Sequence, residues 1–375
     1  MSHPAPTDYS TSPLFDGVSL GAIDLPNRIV MAPLTRVRAG SEGVPNDLMV
    51  EYYRQRASAG LIITEGTYPD HASQGWIGAP GIANDEQATG WKKVFDAVHT
   101  AGGRVVVQLM HAGRATHPAL NGGGRVLAPS AIPIDGVVFT GAGEEPYPQP
   151  EAMTTQDLEA VISSFVRAAE RAIAAGADGV EIHGANGYLL HQFHSHASNH
   201  RTDRFGGSPE NRARFTLAVT SAVADAVGAD RVGIRLSPEV GLGGVVEDDR
   251  ADVLDTYGVL VDGLSSLGLA YLSILHADPG SGFIQDLRRR FDGPVIVNSG
   301  APGGQTTRDE AHERIAVGHA DAVAVGRALI ANPDLVARWR EGHPENEPRY
   351  ELFYADTAEG YTDYPTHDET SIVVH

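Results

Sequence analysis

Eight short apolar runs, at positions 28–32, 61–64, 104–109, 179–183, 232–236, 271–275, 294–298 and 321–325, alternate with longer amphipathic segments. The runs lack a long polar alternation, as strands covered on both faces should. Between them, Leu158, Val161, Ile162, Phe165, Ala169, Ala172 and Ile173 recur at helical spacing and give one buried stripe. Thr154 with Asp157 reads as a capping box, and Ser208-Pro209 as an N-cap followed by proline at the first helical position. Ala59-Gly60, Ala101-Gly102, Ala175-Gly176 and Leu267-Gly268 each read as a helix end closed by a left-handed glycine. Eight βα units predict an α/β fold, a closed (β/α)8 TIM barrel. A doubly wound sheet would need the strands in two halves, and no linker divides them.

Two segments stand outside the repeat. Residues 15–26 read as an N-terminal β-hairpin closing the barrel bottom. Residues 112–150, rich in Gly and Pro, read as a lid excursion after strand three, over the top face. At 375 residues the chain is expected to form a single barrel domain over 1–375, with 112–150 as its capping excursion.

Composition removes several function classes. A formal net charge of -20 makes nucleic acid and anionic membranes poor partners. The absence of cysteine excludes disulfides, thiolate metal sites, iron–sulfur clusters and cysteine nucleophiles. Positions 1–12 are polar, and no run reaches the length of a membrane span, so the expectation is a cytoplasmic protein, a monomer or small homo-oligomer.

Three patterns are set aside. Gly17-Val18-Ser19-Leu20-Gly21 matches a nucleophile elbow but lacks the strand before it and the helix after it. No G-x-G-x-x-G occurs, so no Rossmann dinucleotide site is expected. His191, His194, His196 and His200 lack the H-E-x-x-H spacing, so they read as a polar loop and no metal is expected.

Glu181-Ile182-His183-Gly184-Ala185-Asn186-Gly187-Tyr188 is the informative stretch. Alternation puts Val180 and Ile182 on one face of strand four and Glu181 and His183 on the other. His183 then ends the strand, with Asn186 and Tyr188 following at once. A histidine and an amide can both bond one substrate oxygen, and a tyrosine can supply a proton. Taken alone, His183 also reads as a core histidine before an Asn-Gly turn. Other strand ends add weight: Pro33 and Thr35 after strand one, Gly66 after strand two, Gln108 on strand three, Arg235 on strand five, Asn298-Ser299-Gly300 after strand seven and Gly326-Arg327 after strand eight. Backbone amides after strands seven and eight, with an arginine, make the common phosphate site of barrels.

Asn27-Arg28-Ile29-Val30-Met31-Ala32-Pro33-Leu34-Thr35-Arg36, Gln108-Leu109-Met110-His111-Ala112-Gly113-Arg114, residues 183–193, Arg201-Thr202-Asp203-Arg204-Phe205-Gly206-Gly207-Ser208, Gly326-Arg327-Ala328-Leu329-Ile330-Ala331-Asn332-Pro333 and Glu359-Gly360-Tyr361-Thr362-Asp363-Tyr364-Pro365 resemble the old yellow enzyme family in order and spacing. The resemblance runs over about 14–365 and is nearest the pentaerythritol tetranitrate, morphinone and N-ethylmaleimide reductase branch. It implies non-covalent FMN, NADPH or NADH as reductant, and a small electrophilic alkene as substrate. It implies Pro33, Thr35, Gly66 and Gln108 along the isoalloxazine ring, Arg235 at its pyrimidine edge, and Asn298, Ser299, Gly300, Gly326 and Arg327 at the phosphate. His183 and Asn186 would grip the substrate oxygen while Tyr188 protonates the α carbon. Trp76, Met110, Phe353 and Tyr354 would shape the pocket. Met110 stands where those relatives often carry Trp, so their substrate preferences do not transfer.

Overall fold

The computed structural model of the protein describes residues 9–300 and 304–372. Most of the polar start at 1–12 lies outside the described residues. Eight parallel strands close on themselves: β1 (Ile29–Met31), β2 (Leu61–Ile63), β3 (Val105–Leu109), β4 (Gly179–Gly184), β5 (Val232–Leu236), β6 (Tyr271–Leu275), β7 (Val295–Asn298) and β8 (Ala322–Val325), with β8 pairing back to β1. Helices cover the outside, so both strand faces are buried and the strands carry apolar runs. This is a (β/α)8 barrel.

The helix ends follow their local chemistry. Thr154 and Asp157 form a reciprocal capping box on the helix Thr155–Ala175, and Ser208 accepts from Asn211 N ahead of Pro209. Leu158, Val161, Phe165, Ala169 and Ala172 form the buried stripe. Each large side chain of that kind contributes about 1.5–3 kcal/mol by leaving water. Gly102, Gly176 and Gly268 have positive φ, as a left-handed cap requires. Gly60 does not, which corrects the expectation for that position. A Cβ there would stand 2.0 Å from Asn27 O, so close backbone approach, not a cap, selects glycine at residue 60.

The strands Val18–Leu20 and Ile23–Leu25 form an antiparallel hairpin. Its Leu20, Ile23 and Leu25 pack with Val30, Leu61, Ile63, Val106, Tyr271 and Ile296 inside the barrel's N-terminal half. Ser19 is exposed in this hairpin and donates to Asp24 Oδ1 at 2.6 Å, so it is no nucleophile elbow.

The 112–150 excursion carries the strands Leu127–Ala128, Val137–Phe139 and Glu144–Pro146. Its buried Arg114 donates to Ile132 O at 3.0 Å and to Gly244 O at 2.8 Å, tying the excursion to the loop after β5. Among the described residues no helix is long and apolar enough to cross a membrane.

Candidate active site

The interior of the barrel changes character along its axis. The N-terminal half is apolar, and the C-terminal half is lined by charged and amide groups. Alternation on β4 sends Val180 and Ile182 to the outer core and leaves Glu181 and His183 inside. Gln108 Nε2 donates to Glu181 Oε1 at 2.8 Å. His183 stands opposite Arg235 in the β4–β5 register, and Arg235 opposite Ser273. Arg235 donates to Asn298 Oδ1 at 2.8 Å and Ser273 Oγ at 3.3 Å. Side chains on β6 and β7 thus hold the cation that β5 carries. Ser273 on β6 was not singled out from sequence; a serine within an apolar strand carries no signal until the register puts it beside Arg235.

The turn after β4 is built to hold its side chains. Asn186 has φ 57° and Gly187 φ 79°, both left-handed. Asn tolerates that conformation better than most residues. A Cβ on Gly187 would lie 2.3 Å from Leu242 O, so only glycine fits. Asn186 N donates to Ser237 Oγ at 2.8 Å, and Gly187 N donates to His191 Nδ1 at 3.0 Å. His191 Nε2 therefore carries the ring's hydrogen and faces Glu247 Oε1 at 3.2 Å, which also accepts from Tyr257 at 2.9 Å.

His183 and Tyr188 are ring neighbours with centroids 5.1 Å apart. Burial, reinforced by Arg235 and His191, pushes the His183 pKa well below its usual range, so the ring is neutral. Burial pushes the Tyr188 hydroxyl up to about 12, so it keeps its proton at neutral pH. His183 Nδ1, Asn186 Oδ1 and Arg235 Nε are buried and have no partner among the described residues.

The loop after β1, which carries Pro33 and Thr35, is fixed from below. Glu65 accepts from Arg36 N and Val37 N, both at 2.9 Å. Arg36 in turn donates to Tyr52 Oη at 3.0 Å, Phe353 O at 3.1 Å and Gly360 O at 2.8 Å. Arg36 and Glu65 thereby join strand ends one and two to the C-terminal segment, a role invisible in sequence because the partners lie up to 324 residues apart.

The expected pocket residues fall into two groups. Trp76 stacks on Tyr354, centroids 5.8 Å apart, and its Nε1 donates to the Tyr188 hydroxyl at 3.0 Å. Phe353 packs against Ile330, Ala331 and Tyr364. Met110 is buried against Gly66. At the β7–β8 end, Asn298 Nδ2 donates to Ala324 O at 3.0 Å, Ser299 Oγ meets Thr306 Oγ1 at 3.0 Å, and Arg327 donates to Gly304 O at 3.2 Å. Gly300 has φ 85°, and a Cβ on Gly326 would meet Leu34 at 3.3 Å.

The histidine run is structural where it is buried. His191 bonds Gly187, Glu247 and Tyr257, and His194 bonds Thr216 at 2.8 Å. Among the described residues no group of three or more His, Cys, Asp or Glu side chains is placed to hold a metal.

Barrels keep their chemistry at the C-terminal face, and a face this rich in placed polar groups defines the class as a (β/α)8-barrel enzyme. The chain belongs to the NADH:flavin oxidoreductase / NADH oxidase family, which it matches over residues 13–346. It is 40% identical over 355 residues to the "Probable flavin mononucleotide-dependent alkene reductase" of Leishmania infantum, covering 92% of this chain and 95% of that one. The old yellow enzyme homologue of Zymomonas mobilis superposes with a TM-score of 0.89 at 38% identity, over 94% of this chain and 99% of that one. Morphinone reductase in complex with tetrahydroNAD superposes with a TM-score of 0.88 at 42% identity, over 95% and 98%.

Proposed function

We propose that this protein is an FMN-dependent ene-reductase, using NADPH or NADH to reduce the activated C=C of α,β-unsaturated carbonyl or nitro compounds, with the whole chain acting as one FMN-binding barrel domain. The observation that carries this reading is one turn at the end of β4. It brings a neutral His183, a left-handed Asn186 and a protonated Tyr188 together beside Arg235.

The residues present fit the cofactor. Arg235 has a buried Nε without a protein acceptor, as a cation facing an electron-rich ring edge would. Gly66 lets Met110, and Gly326 lets Leu34, pack directly on the backbone beside the barrel mouth. Ser299, Gly300 and Arg327 supply donors for a phosphate. FMN, when bound, supplies the hydride that it takes from the nicotinamide.

The chain's own residues do the rest. His183 and Asn186 hold the substrate oxygen, and as neutral groups they strengthen their bonds as negative charge develops there. Tyr188 holds a proton for the α carbon. Arg235, kept in place by Asn298 and Ser273, balances charge that builds on the ring edge. Pro33, Thr35 and Gln108 line the ring, and Trp76, Met110 and Tyr354 bound the substrate, with Phe353 at the rim.

The test is the purified protein itself. It is expected to be yellow and to release free FMN on acid precipitation. Arg327→Ala is expected to weaken FMN retention by about 1.5–3 kcal/mol. A colourless protein that FMN cannot reconstitute contradicts the reading.

A further inference from the structure

The Tyr188 hydroxyl has one hydrogen-bond partner among the described residues, and that partner is a donor. Trp76 Nε1 lies 3.0 Å from the Tyr188 hydroxyl oxygen, from a loop 112 residues away in sequence. An indole N–H can only donate. The Tyr188 oxygen therefore accepts this bond, and its own hydrogen is turned away from Trp76. Both rings are held: Tyr354 stacks on Trp76 at an interplanar angle of 17°, and His183 packs against Tyr188 at 52°. With the indole N–H on one side of the oxygen, the hydroxyl hydrogen lies on the side away from Trp76.

We propose that Trp76 is a positioning residue for proton delivery: its N–H aims the Tyr188 hydrogen at the substrate's α carbon and stabilises the phenolate left behind. This rests on Tyr188 being the acid. In the step, a C–H bond forms at the α carbon as the Tyr188 O–H bond breaks. The O–H electron pair stays on the tyrosine oxygen; the hydride's pair forms the β C–H bond, and the pair of the broken C=C π bond, delocalised toward the clamped oxygen, forms the α C–H bond. Water returns the proton to Tyr188 afterwards. Burial opposes a phenolate at this position, and the Trp76 N–H acts against that penalty. A hydrogen bond to a charged group is stronger than one to a neutral group, so the Trp76 bond strengthens during transfer.

Trp76→Phe keeps a ring for Tyr354 to stack on and removes only the donor. The experiment compares parent holoenzyme, Trp76→Phe, Tyr188→Phe and the double variant by anaerobic stopped flow. The saturating rate of flavin reoxidation by 2-cyclohexenone is read in each, with flavin reduction by NADPH as the control. Trp76→Phe is expected to slow reoxidation roughly 10- to 100-fold and to raise its solvent isotope effect, a loss larger than any change in reduction by NADPH, which takes no proton from Tyr188. In the Tyr188→Phe background, Trp76→Phe is expected to slow nothing further. Equal slowing in both backgrounds overturns the proposal and leaves Trp76 as a wall of the pocket, with Tyr188 still the acid. If Tyr188→Phe alone runs at the parent rate, the acid assignment and the proposal fall together.

Discussion

Met110 lies directly on Gly66: a Cβ built on Gly66 would stand 2.6 Å from the Met110 sulfur and 3.3 Å from its Cβ. The thioether is held where the loops after β2 and β3 meet, because Met110 N donates to Thr67 O at 2.9 Å. A tryptophan at 110 cannot keep this packing, since its ring is larger and rigid. Met110→Trp is therefore expected to change which enones are accepted and to leave flavin reduction by NAD(P)H within about threefold. An unchanged profile across cyclic and acyclic enones places residue 110 outside the pocket.

The clamp and the acid should separate kinetically. Replacing both His183 and Asn186 by Ala removes donors that strengthen in the transition state, each worth about 2.7–4 kcal/mol. Reoxidation by enones is expected to collapse and phenol ligands to bind poorly. Tyr188→Phe is expected to slow enone reduction by roughly 10²–10⁴-fold. Nitroalkenes should suffer less, because a nitronate can leave and be protonated by water. Stopped-flow half-reactions read both effects, and normal turnover by the double clamp variant rules out this site.

Much of this was legible in the sequence for a physical reason. Strand alternation and helix caps are local, so the eight strands, the Thr154–Asp157 box and the inward placement of His183 follow from neighbours in the chain. What was not legible depends on distant approach. The Trp76–Tyr188 bond, the Glu65 hold on Arg36 N and the Arg36 bond to Gly360 O join separate loops. Gly60 shows the same limit: its neighbours predict a cap, but Asn27 from another segment decides its role.

The His191–Glu247 pair should matter for the geometry of the turn after β4. Glu247 Oε1 accepts from Tyr257 and faces His191 Nε2, and Oε2 accepts from Glu239 N at 2.7 Å. A glutamine offers one oxygen and one amide nitrogen, so one donor must face another donor. Glu247→Gln is expected to cost about 1–3 kcal/mol of stability and to weaken phenol binding through the loosened Gly187 turn. Urea unfolding and a phenol titration of the flavin spectrum measure the two. Parent behaviour in both means the pair does not hold the turn.

Acid should destabilise the fold through buried neutral histidines. Burial, then repulsion from His191, lowers His194 from 6.5 to about 3. His183 and His111 are lowered in the same direction by burial. Below pH 6.5 the unfolded chain binds protons that the folded chain refuses, so His194's contribution to stability is lost as pH falls from 6.5 toward about 3. The slope is about 1.4 kcal/mol per pH unit for each such histidine. His194→Gln can still bond Thr216 but cannot take the proton, so its urea stability should fall less steeply between pH 6.5 and pH 5. An identical slope excludes His194 as a contributor.

The central claim is that reducing equivalents pass from a nicotinamide through bound flavin to an activated alkene. One anaerobic titration tests it most directly. NADPH or NADH is added to the yellow protein until the visible flavin absorbance bleaches, and 2-cyclohexenone is then added without oxygen. The account predicts full recolouring, with one cyclohexanone formed per flavin reoxidised. A flavin that bleaches but stays colourless until oxygen enters contradicts it, and so does a flavin that neither nicotinamide can bleach.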